Sequence, residues 1–162
     1  QERKVASGEG EPGPGDPRRF ARLWSAARIA RLMLSPRAKK ESMRQSMERS
    51  LRRLQVVPSP GYLVLVTWED LAQRLQLQLA AGEQKLPWAD QIDAHETGLL
   101  SVATRARDVD ALTATLSAPE GLRRPLPVEL TVIKWDGKRM RITTARRVIK
   151  TAAATRVALE LP

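Results

Sequence analysis

From Asp16 to Leu54 the apolar residues recur at helical spacing. Beyond Pro60 they come in short runs and alternations. Asp16 followed by Pro17 is a helix entry, a capping carboxylate and then a first-turn proline. The pattern predicts a helix from about Pro17 to Leu34, ended by Pro36 because proline disfavours a helical residue before it. A second helix is expected from about Arg37 to Leu54. There Met43, Met47, Leu51 and Leu54 form one narrow stripe, with Glu48 placed to pair with Arg44 and Arg52. Residues 1–16 hold mostly Gly, Pro, Ser and Glu and are expected to be disordered on their own.

Pro58, Pro60 and Gly61 mark the next boundary. Tyr62–Val66 is a continuous apolar run, the pattern of a strand covered on both faces. Thr67 then reads as the cap of a helix carrying Leu71, Leu75 and Leu79 on one face and closing at Gly82. The letters "LQLQL" in that segment also alternate as a strand does. Residues 83–97 read as loop and "GLLSVAT" as a short strand. A helix is expected from about Asp108 to Leu116, with Val109, Leu112 and Leu116 inward.

"PVELTVIKWDGKRMRITT" places Asp136-Gly137 between two alternating segments, a hairpin signal in which Gly supplies the positive φ of a tight turn. Val128, Leu130 and Val132 share one face of the first strand, and Met140 and Ile142 share one on the return. "ARRVIKTAAA" fits a short helix or a third strand, and "TRVALEL" a further strand. The expected fold class is α+β. A Gly/Pro-rich tail (1–16) and a basic two-helix arm (17–57) lead into a compact domain (58–162) of about four strands and two helices.

Charge changes this picture more than composition does. The chain carries 28 Lys or Arg against 18 Asp or Glu, a net charge of +10. The excess sits at the two ends, on either side of a slightly acidic middle. Residues 17–40 hold basic residues and no Asp or Glu. That asymmetry suggests a polyanionic partner touching the arm and one face of the C-terminal region. Genomic base composition, which also raises Arg and Ala, is the alternative. The basic residues placed to contact RNA are Arg18, Arg19, Arg22, Arg28, Arg31, Arg37, Lys39 and Lys40 in the arm. Arg139, Arg141, Arg146, Arg147 and Lys150 form a second patch. Arginine predominates, which suits bidentate phosphate contact. One Phe and one Tyr are too few for a base-stacking platform. Trp24, Trp68, Trp88 and Trp135 are scattered and read as core or interface anchors.

Little suggests catalysis. The chain has no Cys and one His. His95 stands among Asp90, Asp93 and Glu96, but Leu99 occupies the place where a zincin pattern needs its second His. This segment reads as a solvated acidic loop, with a carboxylate or metal-dependent enzyme as the weaker alternative. "GEGEPGPG" is no phosphate loop, since it offers carboxylates and prolines where N–H donors are needed. No cofactor is expected, and no apolar run is long enough to span a bilayer. The chain opens on Gln1, and a removed leader is compatible with that.

The expectation is therefore a non-catalytic structural subunit of a large ribonucleoprotein. It would bind RNA, in particular rRNA, and neighbouring proteins. An organellar, mitochondrial ribosome would place it in the mitochondrial matrix, and otherwise the cytoplasm is expected. The alternative is an assembly or adaptor factor whose basic helix docks on an anionic membrane surface or an acidic protein. Peripheral membrane contact is compatible with either. Around a helical wheel Ala30, Leu23, Leu34, Ala27, Phe20 and Trp24 cluster with Arg31 in their midst, which argues against a cleanly divided membrane-surface helix.

Overall fold

The computed structural model describes residues 16–85, 98–105 and 110–162. Readings of the N-terminal tail and of the Asp90–Glu96 loop lie outside them. Helix α1 spans Pro17–Met33, a 3-10 turn covers Pro36–Lys39, and helix α2 spans Glu41–Leu54. Asp16 caps α1 as expected, accepting a hydrogen bond from the Arg18 backbone N–H at 2.9 Å. Pro36 ends the first helical segment but opens the 3-10 turn, so α2 begins four residues later than the pattern predicts.

Eight strands follow among the described residues. They are β1 (Gly61–Thr67), β2 (Gln76–Ala81), β3 (Gln84–Lys85), β4 (Leu99–Thr104), β5 (Leu112–Ser117), β6 (Leu126–Trp135), β7 (Met140–Ile149) and β8 (Thr155–Leu159). They form two antiparallel four-stranded sheets, ordered β4-β1-β6-β7 and β3-β2-β5-β8. The fold is α+β, with both described α-helices in the N-terminal segment rather than in the strand-rich region.

Strand β1 explains the layering. Tyr62, Val64 and Val66 enter one apolar cluster with Leu77 and Leu79 of β2, Leu112 and Leu116 of β5, and Leu130 and Val132 of β6. This is the interior between the two sheets. Leu63 and Leu65 point the other way, into a second cluster with Leu23, Ala26 and Ala30 of α1, Leu51 of α2, and Ile133 and Met140. The helices thus cover the outer face of the first sheet. The other sheet turns Gln76, Gln78, Thr113 and Thr115, all only partly buried, away from the core.

This packing also explains why α1 has no clean apolar face. It meets both α2 and the sheet, so its apolar residues spread beyond a single stripe. Arg31, which the helical wheel places amid apolar residues, is exposed and pairs with Glu129 at 3.2 Å. The α2 stripe is graded: Leu51 is buried, Met47 and Leu54 are half-buried, and Met43 is exposed.

Two expected helices are strands, and one ambiguity caused both errors. Positions four apart share a face of a helix, but they also share a face of a strand. The residue between them decides. Leu77 and Ala114 are buried together with Leu75, Leu79, Leu112 and Leu116, giving a period of two. Leu71, the supposed first residue of the helical face, is 48% exposed. Strand β5 begins within the expected 108–116 helix, of which residues 106–109 are not described. "ARRVI" continues β7 as a strand.

The Asp136-Gly137 hairpin is present with a longer turn than expected. Trp135 pairs with Met140, leaving four residues between the strands. Asp136 Oδ1 accepts from the backbone N–H groups of Lys138 and Arg139, each at 2.8 Å. These bonds, Arg139's foremost, hold its carboxyl below the usual aspartate range. Gly137 takes the positive φ of 98°. At the start of β1, a Cβ on Gly61 would strike the Thr104 carbonyl and lie 2.8 Å from Pro58 Cβ. The sheet edge closes tightly there only because that side chain is absent.

The strand assignment of 76–81 makes a direct prediction. Leu77→Ala should cost about 2–5 kcal/mol in urea unfolding, as truncation of a fully buried Leu does. Leu71→Glu should stay within about 0.5 kcal/mol, as surface substitutions do. A helical segment with Leu71 inward would reverse that order.

Candidate nucleic-acid interface

The first turns of α1 set Arg19 and Arg22 three residues apart, on one side of the helix. The last turn of α2 brings Arg52, and the residue after β4 brings Arg105. These four arginines line one groove of about 540 Å³, floored by Leu23, Leu63 and Trp135 and walled by the 55–59 connection. Among the described residues no Asp or Glu lines it.

Arg52 is the best positioned of the four. Its Nη2 donates to the Lys138 carbonyl at 2.7 Å and to Glu48 Oε1 at 3.3 Å. Its guanidinium lies 5.7 Å from the centre of the Trp135 ring. Glu48 Oε1 also accepts from the Met140 backbone N–H at 2.6 Å, tying α2 to β7. Trp135 Nε1 is buried with no hydrogen-bond partner among the described residues. Gln55, which ends α2, has a φ of 55° and is the only non-glycine residue among those described with positive φ. For a residue with a Cβ this conformation costs about 1–2 kcal/mol, and it falls in the groove wall.

Arg18 forks onto Asp16, with its Nη2 2.8 Å from Oδ2. That contact, then the Arg18 backbone bond and the nearby Arg22 charge, holds the Asp16 carboxyl below its ordinary value. Arg31 and Arg146 both meet Glu129, at 3.2 and 3.3 Å. They share a second groove, of about 530 Å³, with Glu69, Asp70 and Arg124. Its mixed charge makes it a poorer polyanion site than the first. Arg139 faces Glu41 at 3.7 Å, both well exposed.

The remaining expected contacts are dispersed. Arg28 is exposed on α1, and Arg37, Lys39 and Lys40 are exposed around the 3-10 turn. Arg141, Arg147 and Lys150 lie along or just past β7, the free edge of its sheet. Arg147 donates to the Arg146 carbonyl at 2.8 Å. Charge on an edge strand also discourages strand-to-strand association, so β7 has a structural use for its arginines.

The structure thus brings Arg19 and Arg22 together with two arginines that sequence reasoning left out of the contact set. Arg52 was visible as an i+4 partner of Glu48, but nothing in the pattern marks the fold that carries it over Trp135. Arg105 follows a strand and carries no local signal that would mark it for the groove. Among the described residues no group of three or more His, Asp or Glu gathers as a metal site, and no helix is long and apolar enough to cross a membrane.

A scan against protein-family models and searches of curated proteins and of solved structures find no match to this chain. The site therefore has to be read from its own geometry.

Glu48 is the keystone between α2, Arg52 and β7. Glu48→Ala should cost about 1–3 kcal/mol, because the Met140 N–H loses this acceptor. Glu48→Gln, which keeps a side-chain carbonyl, should recover part of that loss. Urea unfolding of both variants measures the difference.

Proposed function

We propose that this chain is a non-catalytic RNA-binding subunit of a large ribonucleoprotein, holding the sugar-phosphate backbone in the Arg19–Arg22–Arg52–Arg105 groove. The observation that carries the reading is four arginines lining one groove that, among the described residues, no Asp or Glu lines, with Glu48 meeting only Arg52 behind it. A guanidinium is a planar array of donors suited to phosphate oxygens. Arg52 is already oriented by the Lys138 carbonyl and Glu48, so less side-chain freedom is lost on binding.

The geometry favours backbone contact over base reading. Tyr62 is buried, and Arg52 lies over the Trp135 ring, so neither offers an open face for a base. Binding of this kind positions an RNA without selecting its sequence. We place the chain in a ribosome, with rRNA and neighbouring proteins as partners. The acid-free, arginine-rich residues 17–40 are what support an organellar particle in the mitochondrial matrix.

Fluorescence anisotropy with a duplex RNA across a salt series tests this. Log affinity should fall linearly with log salt. Replacing Arg19, Arg22 and Arg105 together by Gln should weaken binding and flatten that slope by about 0.7–0.9 for each phosphate contact removed. Arg147→Gln on the far edge strand should change little. Absence of RNA affinity, or a slope untouched by the triple substitution, would overturn the reading.

A further inference from the structure

Strand β7 closes its sheet and has one side open. All ten of its residues pair with β6 in unbroken register, and no other strand among the described residues pairs with it. Facing residues of an antiparallel pair alternate between bonding to each other and turning their main-chain groups outward. Asp136 and Arg139 bond to each other just beyond the strand ends. The Met140 N–H donates instead to Glu48 Oε1, and the Arg146 carbonyl accepts from the Arg147 guanidinium. All three contacts agree on the phase. Met140, Ile142, Thr144, Arg146 and Val148 turn their N–H and C=O groups outward, and only Met140, at the start, has its N–H covered by α2. Thr143 reaches the Glu160 carbonyl through its side chain, from the face turned to the other sheet.

Edge strands are ordinarily blunted by shortness, a bulge, a proline, a cover or charge. β7 is long and unbulged, and its sequence holds no Pro. Charge is what it carries. Arg141, Arg146, Arg147 and, just past its end, Lys150 are all exposed. Arg146 is paired with Glu129, whereas Arg141 has only the longer-range attraction of Asp136. Arg147 and Lys150 have no ion pair among the described residues.

We infer that this edge is a docking site for an extended acidic segment of a partner protein, added to the sheet as a fifth strand. Arg141 and Arg147 lie on the same face of β7, about 20 Å apart at strand rise. The partner strand sets carboxylates opposite both, and an apolar residue opposite Val148, 49% exposed, on the other face. Its main-chain N–H takes over the Arg146 carbonyl and so releases the Arg147 guanidinium to a carboxylate. A second copy of this chain fits badly. Antiparallel pairing of two β7 edges about Thr144 would set each Arg141 against the other copy's Arg147, like charges directly opposite. An RNA backbone would meet the cations but has no ladder of donors and acceptors at strand spacing, and it leaves Val148 uncovered. The inference is independent of the RNA groove, whose Arg105 follows the opposite edge strand, β4.

The probe is an acetylated and amidated peptide, VEVTVTVEV, with its glutamates spaced as Arg141 and Arg147 are and its valines on the other face. Anisotropy of the labelled peptide should show binding to the full chain, and VKVTVTVKV should not bind. Arg141→Gln and Arg147→Gln together should weaken binding about fivefold or more, while RNA anisotropy and the urea midpoint stay unchanged. N-methylation of the peptide's main-chain amides should abolish binding. Hydrogen exchange should slow at the Ile142, Thr144, Arg146 and Val148 amides when the peptide is present. Absence of binding, indifference to the double substitution or to N-methylation, or unchanged exchange at those amides would overturn the inference. So would protection of the same amides by duplex RNA, or by raising the concentration of the chain alone.

Discussion

The two sheets and the two described α-helices are arranged around a strand that has no wet face. β1 lies between β4 and β6 in the plane of its sheet, and its side chains alternate between two separate apolar clusters. Tyr62, Val64 and Val66 require a second sheet above them. Leu63 and Leu65 require a cover below, and burying a side chain of that size is worth about 1.5–3 kcal/mol. The helix pair supplies that cover. The basic N-terminal segment is therefore a structural layer as well as a carrier of charge, and its cationic side is presented by a body it helps to build.

That constraint sorts the arginines. At the rim of the helix layer Arg31 meets Glu129 of the sheet, which Arg146 of β7 also meets, and Arg18 meets Asp16 of the cap. Pairs this exposed contribute little stability each, but they quieten the local field. Where the ends of α1, α2 and β4 converge over Trp135, Glu48 meets Arg52, and no Asp or Glu among the described residues lines the groove itself. The net positive charge is thus concentrated by omission, through the placing of few acids, as much as by the number of arginines.

The boundaries of this fold were more legible in the sequence than its interior. Asp16-Pro17, the Pro58–Gly61 punctuation and Asp136-Gly137 act through local backbone chemistry, and each marks a real transition. β1 was readable because a doubly buried strand is continuously apolar. β2 and β5 were misread because Leu75 and Leu79, or Leu112 and Leu116, satisfy helical and strand periods equally. Leu77 already gives its segment a strand-like alternation, but only the burial of Leu77 and Ala114 under the facing sheet decides between the two periods. The candidate groove was half legible. Arg19 and Arg22 stand out in an acid-free helix, whereas Arg105 joins them through the antiparallel pairing of β4 with β1, a contact between distant segments that no local pattern encodes.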